Sequence, residues 1–280
     1  MEPTPPLVAT DWLEAHLDAP DVRIVEVVAW SESHDYEDGH IPGAIRWFWK
    51  DALWHDTDRE FPTPEQMADR LGAAGIGETD TIVLYGDLIQ FATYAFWVLT
   101  MTGHPDVRLL EGSRRKWVAE GRALEVAVSS TEPVTYRSQR GDQSSRLGRD
   151  DVRAHLGDPG RVLLDVRSPE EYAGERVGMS ATGDHGAERY GRIPEAQHLF
   201  FRELLEEDDR FKSADELRSI LATCGVAADS GRETVVYCRL SHRATLAWFV
   251  MRYILGLEDV RVYDGSWTEW GSIVGFPIER

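Results

Sequence analysis

The chain is short of cysteine, of positive charge and of long apolar runs, and each shortage removes a class of function. Only two of its 280 residues are cysteine, Cys224 and Cys238. Two thiols cannot build a disulfide framework or a four-cysteine zinc site. Lysine and arginine number 30 against 49 aspartates and glutamates, a formal net charge of −19. That balance argues against nucleic acid and anionic membrane surfaces as partners, and any small anionic substrate would need a local basic pocket. No stretch reaches the roughly 18 apolar residues of a membrane-crossing helix. The start, Met1-Glu2-Pro3-Thr4-Pro5-Pro6, lacks the basic and apolar parts of a secretory signal. The expected setting is a reducing cytoplasm, where a cysteine stays a thiol.

What is present concentrates around one of the two cysteines. The β-branched run Val235-Val236-Tyr237 ends at Cys238, followed by Arg239-Leu240-Ser241-His242-Arg243 and then an apolar helical pattern from Ala244. This reads as a strand, a loop and a helix, with a thiol at the strand's carboxyl end and two arginines in the loop. Helix N-terminal amides and guanidinium groups lower a thiol's pKa, so the arrangement suits a nucleophilic cysteine facing an anion. Cys224, in Ala222-Thr223-Cys224-Gly225, reads instead as a small apolar filler at a helix end.

The chain also repeats itself. His40-Ile41-Pro42-Gly43-Ala44 returns as Arg192-Ile193-Pro194-Glu195-Ala196, and Thr81-Ile82-Val83-Leu84-Tyr85 returns at the same offset as Glu233-Thr234-Val235-Val236-Tyr237. Glu111-Gly112-Ser113 and Trp117 match Asp264-Gly265-Ser266 and Trp270 one residue out of register. Collinear matches over about a hundred residues mark a duplication rather than shared apolar runs. Opposite Cys238 the first half offers Gly86, or Asp87 if its loop is one residue shorter, and the rest of that loop carries no arginine. The first half therefore has no nucleophile and is expected to act as a structural partner that walls the pocket.

In the second half, strands are expected over 161–166, 234–237 and 260–263, and helices over 214–223 and 244–255, the latter closed by Gly256. Strands alternating with helices predict an α/β fold of two similar domains, each a mainly parallel sheet with helices on both faces. The boundaries expected are 1–126, a polar linker at 127–148, and 149–280. The second half is also longer than the first between matched positions, with an insertion inside 173–190 containing His185 and Arg189. Long inserted loops are functional or disordered. This one is expected to edge the active-site cleft and help select the acceptor.

Four motifs in order resemble the rhodanese family, specifically its tandem-domain sulfurtransferases with an inactive first domain. They are Tyr36 with His40-Ile41-Pro42-Gly43-Ala44, the run Asp165-Val166-Arg167-Ser168-Pro169-Glu170-Glu171-Tyr172, the loop from Cys238 to Arg243, and Tyr263-Asp264-Gly265-Ser266-Trp267-Thr268-Glu269-Trp270. The resemblance spans nearly the whole chain. It implies that Cys238 takes sulfur from a small anionic donor, holds it as a persulfide and passes it to an acceptor, with no metal or organic cofactor. Arg239, Leu240, Ser241, His242 and Arg243 would bind the donor and cradle the persulfide, and Asp165, Arg167 and Trp267 would support them. Phosphatases related by fold use a cysteine and an arginine separated by five residues; here four separate Cys238 from Arg243, and the smaller loop suits a single sulfur atom. Two arginines favour the dianion thiosulfate over 3-mercaptopyruvate, whose transferases carry a neutral residue after the cysteine.

The chain departs from the family pattern at three places. Glu171 stands where vertebrate-type members have a substrate-binding arginine, Ser241 replaces a common glycine, and Arg192 and Glu195 stand in for the usual His and Gly. Both donors stay open, as does a non-catalytic role as a persulfide carrier or partner-binding scaffold. Cyanide or a thiol would accept the sulfur in the laboratory; in related systems the acceptor is a protein thiol of SufE type.

Overall fold

A computed structural model describes residues 6–129, 131–178 and 186–280. The chain divides into a first unit running to Gln143, together with Glu207–Arg210, and a second of Ser144–Glu206 and Phe211–Arg280. The polar segment 131–143 belongs with the first unit, where Val134 N–H donates to Gly72 O at 2.9 Å and Thr131 Oγ1 to Ala74 O at 2.8 Å.

Each unit is built on a five-stranded sheet in which every pairing is parallel. The first contains β1 (Leu7–Val8), β2 (Val22–Val28), β3 (Ile45–Phe48), β4 (Thr81–Tyr85) and β5 (Val107–Leu110) in the order β1-β5-β4-β2-β3. The second contains β6 (Arg146–Leu147), β7 (Arg161–Asp165), β8 (Gln197–His198), β9 (Glu233–Tyr237) and β10 (Val260–Tyr263) in the order β6-β10-β9-β7-β8. The two orders are the same topology written twice. Continuous apolar runs such as Ile82-Val83-Leu84 and Val235-Val236 suit central strands covered on both faces.

The repeat reaches individual hydrogen bonds. Tyr85 Oη accepts from Ile41 N–H at 3.1 Å, and Tyr237 Oη accepts from Ile193 N–H at 3.2 Å. Tyr36 donates to Ala44 O and Tyr172 to Ala196 O, both at 2.6 Å. The indoles of Trp117 and Trp270 each donate to a backbone carbonyl, of Ala123 and Pro277. These rings help fill the two cores. Arg192 fits the same scheme: His40 stacks on Tyr36 at 3.7 Å in the first unit, and the Arg192 guanidinium lies 4.6 Å over Tyr172 in the second.

The helix expected over 214–223 is Ala214–Thr223, opened by a capping box in which Ser213 and Glu216 satisfy each other's backbone N–H. The helix expected from Ala244 begins earlier, at His242, runs to Phe249 and continues as one π-helical turn, Val250–Ile254. It stops before Gly256, whose φ of +71° marks the turn away. No helix among the described residues is long and apolar enough to cross a membrane.

Candidate active site

In the second sheet the chain leaves β7 outward to β8 and leaves β9 outward to β10, so the carboxyl ends of β7 and β9 flank a crevice where the winding reverses. Ligand sites of open parallel sheets form at such points. The residue after β9 is Cys238, a free thiol only 1% exposed. The two strand ends are tied together by Val166 N–H donating to Tyr237 O at 3.0 Å.

The loop after Cys238 is clamped along its length by the turn that follows β10. Cys238 N–H donates to Ser266 Oγ at 3.3 Å, and Cys238 O accepts from Trp267 N–H at 2.9 Å. Arg239 O accepts from both the amide and the hydroxyl of Thr268, at 3.0 and 2.8 Å. Ser241 has φ +70° and is fully buried. Its hydroxyl donates to Asp264 O at 2.5 Å and lies 2.9 Å from Asp264 Oδ1, while Asp264 is itself held by Arg146. Positive φ costs a residue with a Cβ, and this hydroxyl anchor offsets the cost where the family commonly has glycine. His242 and Arg243 follow as the first turn of an eight-residue helix, with His242 N–H donating to Leu240 O at 3.0 Å and Thr245 N–H to Ser241 O at 2.8 Å.

Arg243 is paired with Glu171. Its Nη1 and Nη2 donate to the two carboxylate oxygens at 2.6 and 2.9 Å, with side-chain exposures of 8% and 0%. Burial disfavours the charged form of both groups, yet their mutual hydrogen bonds and charge outweigh it. The Glu171 carboxyl is held below its ordinary range and the guanidinium is raised. Glu171 is fixed from the other side as well, as the third residue of the helix Pro169–Ala173, where it accepts from Ser168 N–H at 3.1 Å.

Asp165 and Arg167 form a second buried pair, both 0% exposed. Arg167 donates to Asp165 from Nε and Nη2 and to Gly191 O at 2.8 Å. Its guanidinium lies 4.7 Å from the ring of Trp267, whose indole donates to Arg189 O at 3.1 Å. These three side chains lie beneath the crevice, out of reach of solvent. Arg239 and Leu240 are half-buried, and His242 is 8% exposed.

The insertion within 173–190 is described only in part; 179–185, which contain His185, lie outside the described residues. Its returning end packs on the loop after Cys238. Gly186 has φ +114°, a conformation that favours glycine, and a Cβ there would come within 2.5 Å of Arg239 Nη1. Arg189 anchors this end by donating to the carbonyls of Trp270, Gly271, Ile273 and Phe276.

The first unit's equivalent of Cys238 is Gly86, not Asp87. Gly86 N–H donates to Ser113 Oγ at 2.8 Å, as Cys238 N–H does to Ser266, and both serines sit at positive φ. A Cβ on Gly86 would stand 2.6 Å from Val27 O, so the backbone has closed over the place a nucleophile would need. Cys224 lies elsewhere, its Sγ donating to His198 O at 3.2 Å, and burial pushes its thiol up. Among the described residues no cluster of three or more His, Cys, Asp or Glu is placed to hold a metal ion.

The sequence singles out Cys238 and its loop, but Ser266, Asp264 and Thr268 emerge as loop supports only from the structure. The signal for the first two is the repeat of Glu111-Gly112-Ser113 as Asp264-Gly265-Ser266.

Comparison with known proteins returns the same pattern. The rhodanese-like domain profile matches twice, at residues 9–120 and 148–273. The chain is 43% identical to the sulfur carrier protein TtuD of Thermus thermophilus, covering 98% of this chain and 96% of that one. It is also 43% identical to SseA of Mycobacterium tuberculosis, provisionally named a thiosulfate sulfurtransferase, covering 97% and 90%. Among solved structures, wild-type EanB is similar over 98% of this chain and 69% of its own, with TM-score 0.85 at 25% identity. An EanB variant carrying a cysteine persulfide, in a tetrahedral intermediate state with ergothioneine, superposes with TM-score 0.86.

Proposed function

Because the chain belongs to the rhodanese family of sulfurtransferases, we propose that it moves sulfane sulfur from thiosulfate to a thiophilic acceptor through a persulfide on Cys238. The observation that carries this reading is the placement of Cys238 at the carboxyl end of β9, on a loop clamped by Ser266, Trp267, Thr268 and Asp264 and closed by a helix N-terminus. The Cys238 thiolate attacks the outer sulfur of thiosulfate, the S–S bond breaks, and sulfite leaves with its electron pair. The terminal sulfur of the persulfide is then charged, and amides of the loop and first helical turn are the groups available to stabilise it. A second nucleophile, cyanide or a thiolate, attacks that sulfur and returns Cys238 as thiolate.

The sulfur lies below the surface, 1% exposed at Cys238, so the acceptor must be slender or present its thiol on an extended segment. A protein thiol of SufE type fits the second description. A reducing compartment keeps the resting cysteine available for the first step.

Covalent transfer requires ping-pong kinetics. Steady-state thiocyanate formation, with thiosulfate and cyanide varied together, should give parallel double-reciprocal lines, with no turnover in Cys238→Ser and near-normal turnover in Cys224→Ser. Intersecting lines, or activity surviving in Cys238→Ser, would contradict the mechanism. The name of TtuD raises carriage of sulfur without turnover as a second reading. Stoichiometric sulfur uptake with no steady thiocyanate production would decide for it.

A further inference from the structure

The sequence places two guanidinium groups in the loop, but the structure commits the inner one. Arg243 is bound through both terminal nitrogens to Glu171, and neither side chain exceeds 8% exposure. Glu171 cannot swing aside without losing the Ser168 N–H bond that starts its helix. The ring of Phe201 lies 6.0 Å from the Arg243 guanidinium. Opposite charges this close act on a third group as a dipole, whose field falls off faster than that of a lone charge. A donor at Cys238 therefore meets a neutralised pair where the sequence alone suggests a cation.

We propose that Glu171 is a positioning residue that sets donor selectivity by occupying both terminal nitrogens of Arg243 and cancelling its charge. The proposal rests on the sulfur-transfer reading of Cys238. Loop amides then carry the recognition of the donor's negative end, and the site discriminates less between a dianion and a monoanion than a loop with an uncompensated Arg243 would.

Charge arithmetic makes the proposal testable. Glu171→Gln keeps the side chain's shape and its ability to accept from Ser168 N–H while removing one negative charge. The interaction of a charge with a ligand scales with the ligand's own charge. The variant's gain in kcat/KM for the dianion thiosulfate should therefore be about the square of its gain for the monoanion 3-mercaptopyruvate. A roughly three-fold gain for the second goes with about nine-fold for the first, appearing mainly in KM and shrinking as salt is added. A second variant, Glu171→Gln with Arg243→Gln, removes both charges and should return the thiosulfate-to-mercaptopyruvate ratio to the wild-type value, whatever its overall rate. Equal effects on both donors in the single variant would overturn the proposal, as would a double variant whose ratio stays at the single variant's raised value or falls below the wild-type one.

An arm independent of turnover separates this proposal from the functional reading. Sulfate should protect Cys238 from iodoacetamide at lower concentration in Glu171→Gln than in wild type, with a smaller change for formate. If wild-type protein gains no sulfur from either donor, the functional reading fails, and the protection experiment still decides the role of Glu171. Unchanged sulfate protection rejects it.

Discussion

Ser241 shows how a single side chain decides whether the loop after Cys238 holds its shape. It occupies a backbone conformation that glycine adopts freely and stays there by hydrogen bonding to Asp264. Ser241→Ala keeps the unfavourable φ and removes the hydroxyl donor from two oxygens of buried Asp264, a loss of about 1–3 kcal/mol. Ser241→Gly loses the same anchor but relieves the backbone, so it should cost less. Denaturant unfolding that finds the alanine variant as stable as wild type, or the glycine variant less stable than alanine, would refute this account. The sequence signals only that a Cβ must be tolerated here; the partner is hidden because Asp264 is distant in the chain. Glu171 and Arg243 are hidden for the same reason. Each is visible as an ionisable residue in a motif, but nothing in their spacing says that they meet.

At the scale of elements, periodicity and caps are legible and backbone turns are not. The helix Ala214–Thr223 is readable from its ends because Ser213, Glu216 and Gly225 are local signals. The helix after Cys238 begins two residues before its apolar pattern because Ser241 turns the chain early, drawing His242 and Arg243 into the first turn. The duplicated strand ends raise a sharper question, whether the first unit differs from the second merely in lacking a cysteine. The close approach of Val27 O to the place a side chain at Gly86 would occupy answers that it does not. Gly86→Cys placed in a Cys238→Ser background should gain no sulfur from thiosulfate and should lower the stability of the first unit. Sulfur transfer restored in that double variant, detected as thiocyanate, would show that the backbone there opens more easily than its geometry implies.

For the whole molecule, the two sheets share one strand order and one set of core hydrogen bonds, and only the second keeps a thiol at the crevice. The repeat makes this asymmetry readable from the sequence, since duplication turns each half into a template for the other. Donor choice is less readable, because it depends on which charges are already paired, and pairing is a property of the folded chain. The central claim is that sulfur resides covalently on Cys238 during transfer. Intact-protein mass spectrometry after incubation with thiosulfate tests it most directly. The account predicts a gain of one sulfur that maps to Cys238, persists in Cys224→Ser, vanishes in Cys238→Ser and is discharged by cyanide. A gain that maps to Cys224, or no gain in a folded protein, would contradict it.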